Sequence, residues 1–111
     1  YAIQVARAVS DGTYERGILI WGTGIGMSMA SNRFPRVRAA LGNDLFAARL
    51  SRQHNDANIL VMGGRVIGDV LAVEILKTRL ETPFEGARHQ ARLDKFDQVC
   101  CGHGPGRLVT P

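Results

Sequence analysis

The sequence lacks the features that mark membrane proteins and disulfide-stapled proteins. None of its apolar runs reaches the ~18 residues of a membrane-spanning helix, so we expect no membrane partner. Its two cysteines, Cys100 and Cys101, are neighbours and poorly placed to cross-link a fold, which predicts a reducing, cytoplasmic environment. Aromatic residues make up only 6% of the chain, so its core must be aliphatic.

The sequence is rich in apolar residues, glycine and arginine. Hydrophobic residues fill 45% of the 111 positions, enough for the core of one domain and too many for a disordered chain. The net charge is +4, and most of the 14 basic residues are arginine, whose planar guanidinium suits phosphate and carboxylate. A net positive charge this small is as compatible with binding an anionic small molecule as with binding a nucleic acid. We prefer the small molecule, because the sequence offers no aromatic platform and no reading helix for nucleic acid.

Short apolar runs alternate with amphipathic segments along the chain. The runs at residues 17–21, 37–41 and 57–62 have the character of buried parallel strands. Helices are predicted over residues 1–10, 27–33, 67–80 and 87–99, and from an N-cap at Asn43 or Asp44 to about His54. This alternation indicates βαβ units, and therefore an α/β fold with a parallel sheet.

A glycine-rich turn, Gly22-Thr23-Gly24-Ile25-Gly26, joins the first strand to its helix. Glycines let a backbone approach an anion closely, and successive N–H groups at the start of a helix form a nest for an oxyanion or phosphate. A tight turn without a ligand has the same spacing. The segment has neither the Lys-Ser/Thr of a nucleotide P-loop nor the full G-x-G-x-x-G of dinucleotide-binding folds.

His54 lies in Gln53-His54-Asn55-Asp56, where the third predicted helix ends. Imidazole side chains titrate near neutral pH, which suits a general acid or base, but a histidine at a helix end also complements the helix dipole. The glycine turn and Arg65 both follow strands, at the sheet edge where open α/β folds bind ligands. We expect His54 to reach the same edge.

Arg88 and Arg92 are four residues apart on the last predicted helix. They therefore share a helix face and can grip one phosphate together, with Arg65 as a third candidate. A solvated charged face accounts for the same spacing. His89 lies one residue off that face, and we expect its role to be structural.

Three segments of the chain resemble ribose-5-phosphate isomerase type B, whose family also includes the galactose-6-phosphate isomerase subunits. They are GILIWGTGIGMSMASNRFPRVRAAL, ARLSRQHNDANILVMGGRVIG and FEGARHQARLDKF, in matching order and spacing. The resemblance extends over about residues 1–98. It implies a Rossmann-like, three-layer α/β fold with a parallel sheet and helices on both faces. It also implies dimers or tetramers with sites between subunits, and no metal or organic cofactor.

The activity that the resemblance implies is interconversion of an aldose phosphate and its ketose through a cis-enediolate. By position, backbone amides of the loop formed by Gly22, Gly24, Ile25, Gly26, Met27 and Ser28 would stabilise the enediolate oxygen. Thr23 would assist proton handling, and His54 with Asn55 would open the sugar ring. The phosphate would be held by Arg65, Arg88 and Arg92. The phosphorylated sugar is thus the expected partner, with residues 1–99 as the isomerase domain and residues 100–111 as a flexible tail.

The sequence departs from the family pattern at the expected base. Many members have a cysteine just before the glycine loop, where this chain has Trp21, and another branch has a glutamate where this chain has Met27. Neither side chain can take a proton from carbon. Trp21 either fills part of the sugar pocket or caps the strand as a core aromatic. A non-catalytic subunit or sugar-phosphate-binding protein is therefore the alternative function.

A second departure concerns the start of the chain. Family members begin with a strand and an Asp-His pair that contributes to ring opening and phosphate binding, whereas this sequence begins after them. We therefore expect the N-terminal part of the domain to be missing and the sheet to expose an apolar edge.

Overall fold

The computed structural model describes residues 1–101, with the backbone alone for residues 87, 88 and 97–101. Helices and strands follow one another in the predicted order, and their ends differ from the predicted ones by at most two residues. The elements are α1 (Ala2–Ser10), β1 (Gly17–Ile20), α2 (Ile25–Ser31), β2 (Ala39–Leu41), α3 (Leu45–Gln53), β3 (Ile59–Met62), α4 (Asp69–Glu81) and α5 (Ala87–Cys101). The predicted tail lies outside the described residues, apart from Cys100 and Cys101, which belong to α5.

The three strands form one parallel sheet in the order β1-β3-β2. Gly17 pairs with Ile59 and Ile20 pairs with Met62, so β1 and β3 begin and end level with each other. β2 lies on the other side of β3, with Ala39 opposite Ile59. The strand that comes last in sequence is therefore the central one, and both other strands depend on it for their hydrogen bonds.

The side chains of β3 alternate between two apolar cores. Ile59 and Val61 face α1 and α2, in a core that they form with Ala6, Val9, Leu19 and Val37. Leu60 and Met62 face α3 and α4, in a core with Ala48 and Ile75. Helices thus cover both faces of the sheet, which confirms the predicted three-layer α/β architecture. None of the described helices is long and apolar enough to cross a bilayer.

Within residues 1–101, one face of β1 has no helix over it. Leu19 is buried in the first core, but Ile18 and Ile20 point to the other face and are 42% and 53% exposed. Because α3 and α4 pack over β3 and β2, they leave this flank open. The expected exposed apolar edge is therefore present in the folded chain.

Arg79 is a buried charge on α4. Its side chain is 2% exposed, and none of its three guanidinium nitrogens has a hydrogen-bond partner in the described part of the chain. Burial lowers the pKa of Arg79 to about 10, and the nearby positive charge of Arg52 adds to this effect. The group still carries its charge at neutral pH. Folding therefore has to desolvate a cation without a compensating hydrogen bond, which costs stability.

Replacing this charge by an apolar side chain of similar length should stabilise the protein. We expect Arg79→Met to raise the free energy of unfolding by about 1–3 kcal/mol, measured by urea denaturation. Arg49→Met, at an exposed position on α3, is the matched control and should change it by less than about 0.5 kcal/mol. A loss of stability in Arg79→Met would contradict the absence of a stabilising partner.

Candidate active site

The glycine loop leaves the sheet directly after β1. The Trp21 N–H still donates to the Met62 carbonyl at 3.1 Å, as a continuation of the strand pairing. Gly22 then has a φ of +46° and Gly24 a φ of +83°, both in the left-handed region that favours glycine. Gly24 is the N-cap of α2, so the first N–H groups of this helix, which lack partners within the helix, lie in the loop.

Gly24 also lies close to the sheet. A Cβ atom placed on it would lie 2.6 Å from Leu41 Cδ1 and 3.2 Å from Val61 Cγ1. Side chains of β2 and β3 therefore support the loop from below. The position of the loop amides is fixed by packing against the sheet as well as by the turn itself.

Hydrogen bonds join the segment after β3 both to the glycine loop and to the segment after β2. The Arg65 N–H donates to the Gly22 carbonyl at 2.9 Å, and the Gly63 N–H donates to Asn43 Oδ1 at 2.8 Å. The neighbouring Asp44 is the predicted N-cap of α3 and accepts from the Ala47 N–H at 2.7 Å. The structure thus brings the glycine loop and Arg65 together, as expected. We call the loop of residues 22–28 with Arg65 the carboxyl-edge group.

Side chains within this loop differ in what they offer to a ligand. Thr23 is exposed, and its Oγ1 lies 3.4 Å from the Ile25 N–H that it accepts from. Ser28 donates its hydroxyl to the Ile25 carbonyl at 2.7 Å. Met27 packs against the core under α1 and α2. Trp21 is 69% exposed, so the prediction of a core aromatic capping the strand is wrong.

His54 and Asn55 lie in the turn between α3 and β3. His54 is the C-cap of α3, and its N–H donates to the Leu50 carbonyl at 2.9 Å. Its ring stacks on that of His89, with the centroids 4.3 Å apart and the planes at 25°. Asn55 is exposed and lines a cleft with Phe96 of α5.

A network of partly buried ion pairs holds this turn in place, and the sequence analysis did not find it. Asp56 has a φ of +44° and pairs with Arg52 at 2.7 Å and with Arg38 at 3.4 Å. Arg52 is buried and also donates to the carbonyls of Ala57 and Thr82. The spacing of Arg52 and Asp56 by four residues was the available signal. The network fixes the backbone next to His54.

Helix α5 carries the remaining predicted phosphate ligands. Arg92 is exposed, whereas the side chain of Arg88 lies outside the described residues. His89 and Leu93 are largely buried on another face of the same helix. Binding of one phosphate by Arg88 and Arg92 together stays a prediction. We call His54, Asn55 and Arg92 the amino-edge group.

The two groups lie at opposite edges of the sheet. The glycine loop and Arg65 follow the carboxyl ends of β1 and β3, whereas His54 and Asn55 precede the amino end of β3. The four paired residues of β1 and β3 are roughly 10 Å long, and the loops at either end add to the distance between these edges. The expectation that His54 reaches the glycine loop within one chain is therefore wrong. It failed because α3 runs antiparallel to the strands and carries the chain back across the sheet.

A glycine loop at the carboxyl edge of an open parallel sheet is typical of proteins that bind anionic small molecules. The family model described as Ribose/Galactose Isomerase matches residues 1–96. The chain belongs to this family. The resemblance inferred from its three segments is thus confirmed.

Individual relatives agree with this assignment. Ribose-5-phosphate isomerase B of Escherichia coli is 49% identical over 99 residues, covering 89% of this chain and 66% of the relative. D-erythrulose-4-phosphate isomerase of Pectobacterium atrosepticum is 40% identical over 95 residues, covering 86% of this chain and 62% of the relative.

The fold is also that of a solved member. Ribose-5-phosphate isomerase B of Mycoplasma genitalium, with bound ribulose-5-phosphate, superimposes with a TM-score of 0.84 at 41% identity, covering 87% of this chain and 64% of that chain. The chain spans about two thirds of the length of the curated relatives that it matches, 64% and 66% for the first two.

The close approach of Gly24 to the sheet gives a prediction for the loop. Gly24→Ala should lower the free energy of unfolding by about 2–4 kcal/mol, because the new Cβ meets Leu41 and the positive φ is strained. Gly26→Ala is the matched control, since a Cβ there meets nothing within 4 Å. It should be neutral or stabilising by up to about 1 kcal/mol. Equal effects of the two changes in urea denaturation would contradict the packing argument.

Proposed function

We propose that this chain is an aldose–ketose isomerase for a phosphorylated sugar of the ribose 5-phosphate/ribulose 5-phosphate type. The observation that carries the proposal is the glycine loop, held by hydrogen bonding against Arg65 at the ligand-binding edge of the sheet. Membership of the Ribose/Galactose Isomerase family supports it. The loop offers N–H groups to a developing oxyanion, and Arg65 offers a charge to a phosphate.

The chemistry needs few groups. A base removes the proton from C2 of the open-chain aldose, and the electron pair forms the enediolate with its negative charge on the C1 oxygen. Return of a proton to C1, with loss of the proton from the C2 hydroxyl, gives the ketose. Backbone amides between Gly22 and Ser28 would stabilise the oxyanion, and Thr23 would assist the transfer between oxygens. No electrons leave the sugar.

The amino-edge group would prepare the substrate. Sugar phosphates are largely cyclic, and opening the ring requires a proton to be delivered to the ring oxygen and another to be taken from the anomeric hydroxyl. An imidazole such as that of His54 suits this exchange, with the amide of Asn55 orienting the sugar. Arg65, Arg88 and Arg92 would share the charge of the phosphate.

Because the two groups lie at opposite edges of one sheet, we infer that a complete site forms between two chains. The carboxyl-edge group of one chain would face the amino-edge group of its partner in a homodimer or tetramer. An isologous contact of this kind makes two equivalent sites at once. The uncovered apolar side chains of β1 favour association of the chain.

A specific observation favours a second candidate function. Trp21 is exposed at the start of the loop, and Met27 packs into the core, so neither residue supplies a base for C2. A protein that keeps the phosphate and oxyanion groups but lacks a base would bind sugar phosphates without converting them.

Turnover separates the two functions. Ribose 5-phosphate incubated with the protein should yield ketose, followed by absorbance or NMR, and Arg65→Ala should lower kcat/KM by roughly 10–100-fold because it removes a charge-assisted contact to phosphate. Saturable, phosphate-dependent binding without ketose formation would instead establish the binding protein. A four-carbon sugar phosphate belongs in the assay, because the indole of Trp21 leaves less room than a cysteine would.

Trp21→Cys tests the assignment of the missing base. The change should leave the turnover rate unchanged or raise it, since it supplies a thiol beside the glycine loop. Loss of turnover with an unchanged melting temperature would mean that the indole is itself part of the working pocket.

A site shared between chains predicts complementation. Arg65→Ala and His54→Asn should each have little activity alone, because each damages every site. Co-refolding equal amounts should restore about a quarter of the wild-type sites, those that draw one intact group from each chain. The control pairs two carboxyl-edge variants, Arg65→Ala with Thr23→Val, which should restore nothing. If the first mixture recovers no activity, the carboxyl-edge and amino-edge groups of each site belong to the same chain.

A further inference from the structure

Three side chains with metal-binding chemistry meet at the amino edge of the sheet. They are His54 at the end of α3, Glu85 in the segment before α5, and His89 on α5. One ligand atom from each lies within 4.8 Å of the others. The Glu85 N–H donates to the Gln53 carbonyl at 3.1 Å, which ties the segment before α5 to the end of α3.

Some ligand atoms in this cluster already lie close to the separation that a shared metal ion requires. His89 Nε2 and Glu85 Oε2 are 3.7 Å apart. Ligands held about 2.0–2.1 Å from a tetrahedral ion are themselves roughly 3.4 Å apart. The longest separation in the cluster, at most 4.8 Å, has to shorten to that value, and the Glu85 side chain, 39% exposed, has room to move.

We propose that His54, Glu85 and His89 form a binding site for a divalent transition-metal ion, with Zn²⁺ the best match. Two imidazoles and one carboxylate suit Zn²⁺, whereas Mg²⁺ and Ca²⁺ prefer sites made of oxygen. Binding would open the stacked histidine pair so that one nitrogen of each ring faces the ion. Three protein ligands leave the fourth tetrahedral position to water.

The site has a consequence for activity, which rests on the proposed function. A His54 nitrogen bound to metal cannot exchange protons with a sugar ring, so occupancy would inhibit ring opening. The inhibition would be reversible, since removing the ion frees the imidazole. The cluster would thus act as an inhibitory metal site of the isomerase.

The experiment must exclude binding by the end of the chain. Cys100, Cys101 and His103 are close in sequence and carry thiol and imidazole groups that bind zinc. The full chain with Cys100→Ser, Cys101→Ser and His103→Gln is therefore the reference protein. Calorimetric titration of this protein with Zn²⁺ should give one ion per chain, and titration with Mg²⁺ should give no saturable heat.

Two further variants in this reference test the ligands. Glu85→Gln and His89→Gln should each weaken Zn²⁺ binding by about tenfold or more, because loss of even an outer-shell partner typically costs 10–100-fold. Glu81→Gln, at an exposed position at the end of α4, is the matched control and should bind as the reference does. Melting curves without metal verify that each variant folds. Absence of saturable Zn²⁺ binding in the reference protein, or unchanged affinity in a folded Glu85→Gln, would overturn the proposal.

An activity measurement then separates the site from the proposed function. In an active reference protein, Zn²⁺ should inhibit turnover, EDTA should restore it, and Glu85→Gln should need about tenfold more Zn²⁺ for the same fractional inhibition. Calorimetry does not depend on turnover, so an inactive protein that binds Zn²⁺ would refute the isomerase and leave the site intact. Turnover that persists at saturating Zn²⁺ would refute the proposed inhibition by the metal.

Discussion

The central position of β3 is the constraint on which the rest of this structure depends. Its four residues are all buried, with Ile59 and Val61 facing one pair of helices and Leu60 and Met62 facing the other. Both neighbouring strands take their register from it. Because β3 comes last in sequence, the chain must cross the sheet repeatedly to build it, and these crossings decide which loops share an edge.

The same topology explains why the candidate site divides into two groups. Loops that follow β1, β2 and β3 meet at one edge, where the Arg65 N–H donates to the Gly22 carbonyl and the Gly63 N–H donates to the side chain of Asn43. The turn with His54 precedes β3 and so falls at the other edge. A chain folded in this way presents the glycine loop on one side of the sheet and His54 on the other. The proposed association of two chains would bring them together.

The amino edge is the more heavily charged of the two. Asp56 pairs with both Arg38 and Arg52, and Arg52 is buried while doing so. Asp56 is one-third exposed, and its two arginine partners together with the carbonyls that Arg52 reaches tie the turn beside His54 to α3 and β2. The histidine stack with His89 adds a second constraint on the imidazole. These contacts hold the backbone and the ring of His54 in one arrangement in the metal-free chain.

The sequence by itself determined the elements, the parallel sheet, the glycine loop and a cap of α3 at Asn43 or Asp44, because periodicity, turn residues and capping act over a few neighbouring residues. The family followed from three segments that match in order and spacing. Tertiary structure alone decided that Trp21 is exposed, that Arg79 is buried without a hydrogen-bond partner among the described residues, and that His54 meets Glu85 and His89. Tertiary structure also separated His54 from the glycine loop. These features depend on which crossover places which residue at which edge, and contacts between residues 30 or more positions apart leave no local pattern to detect.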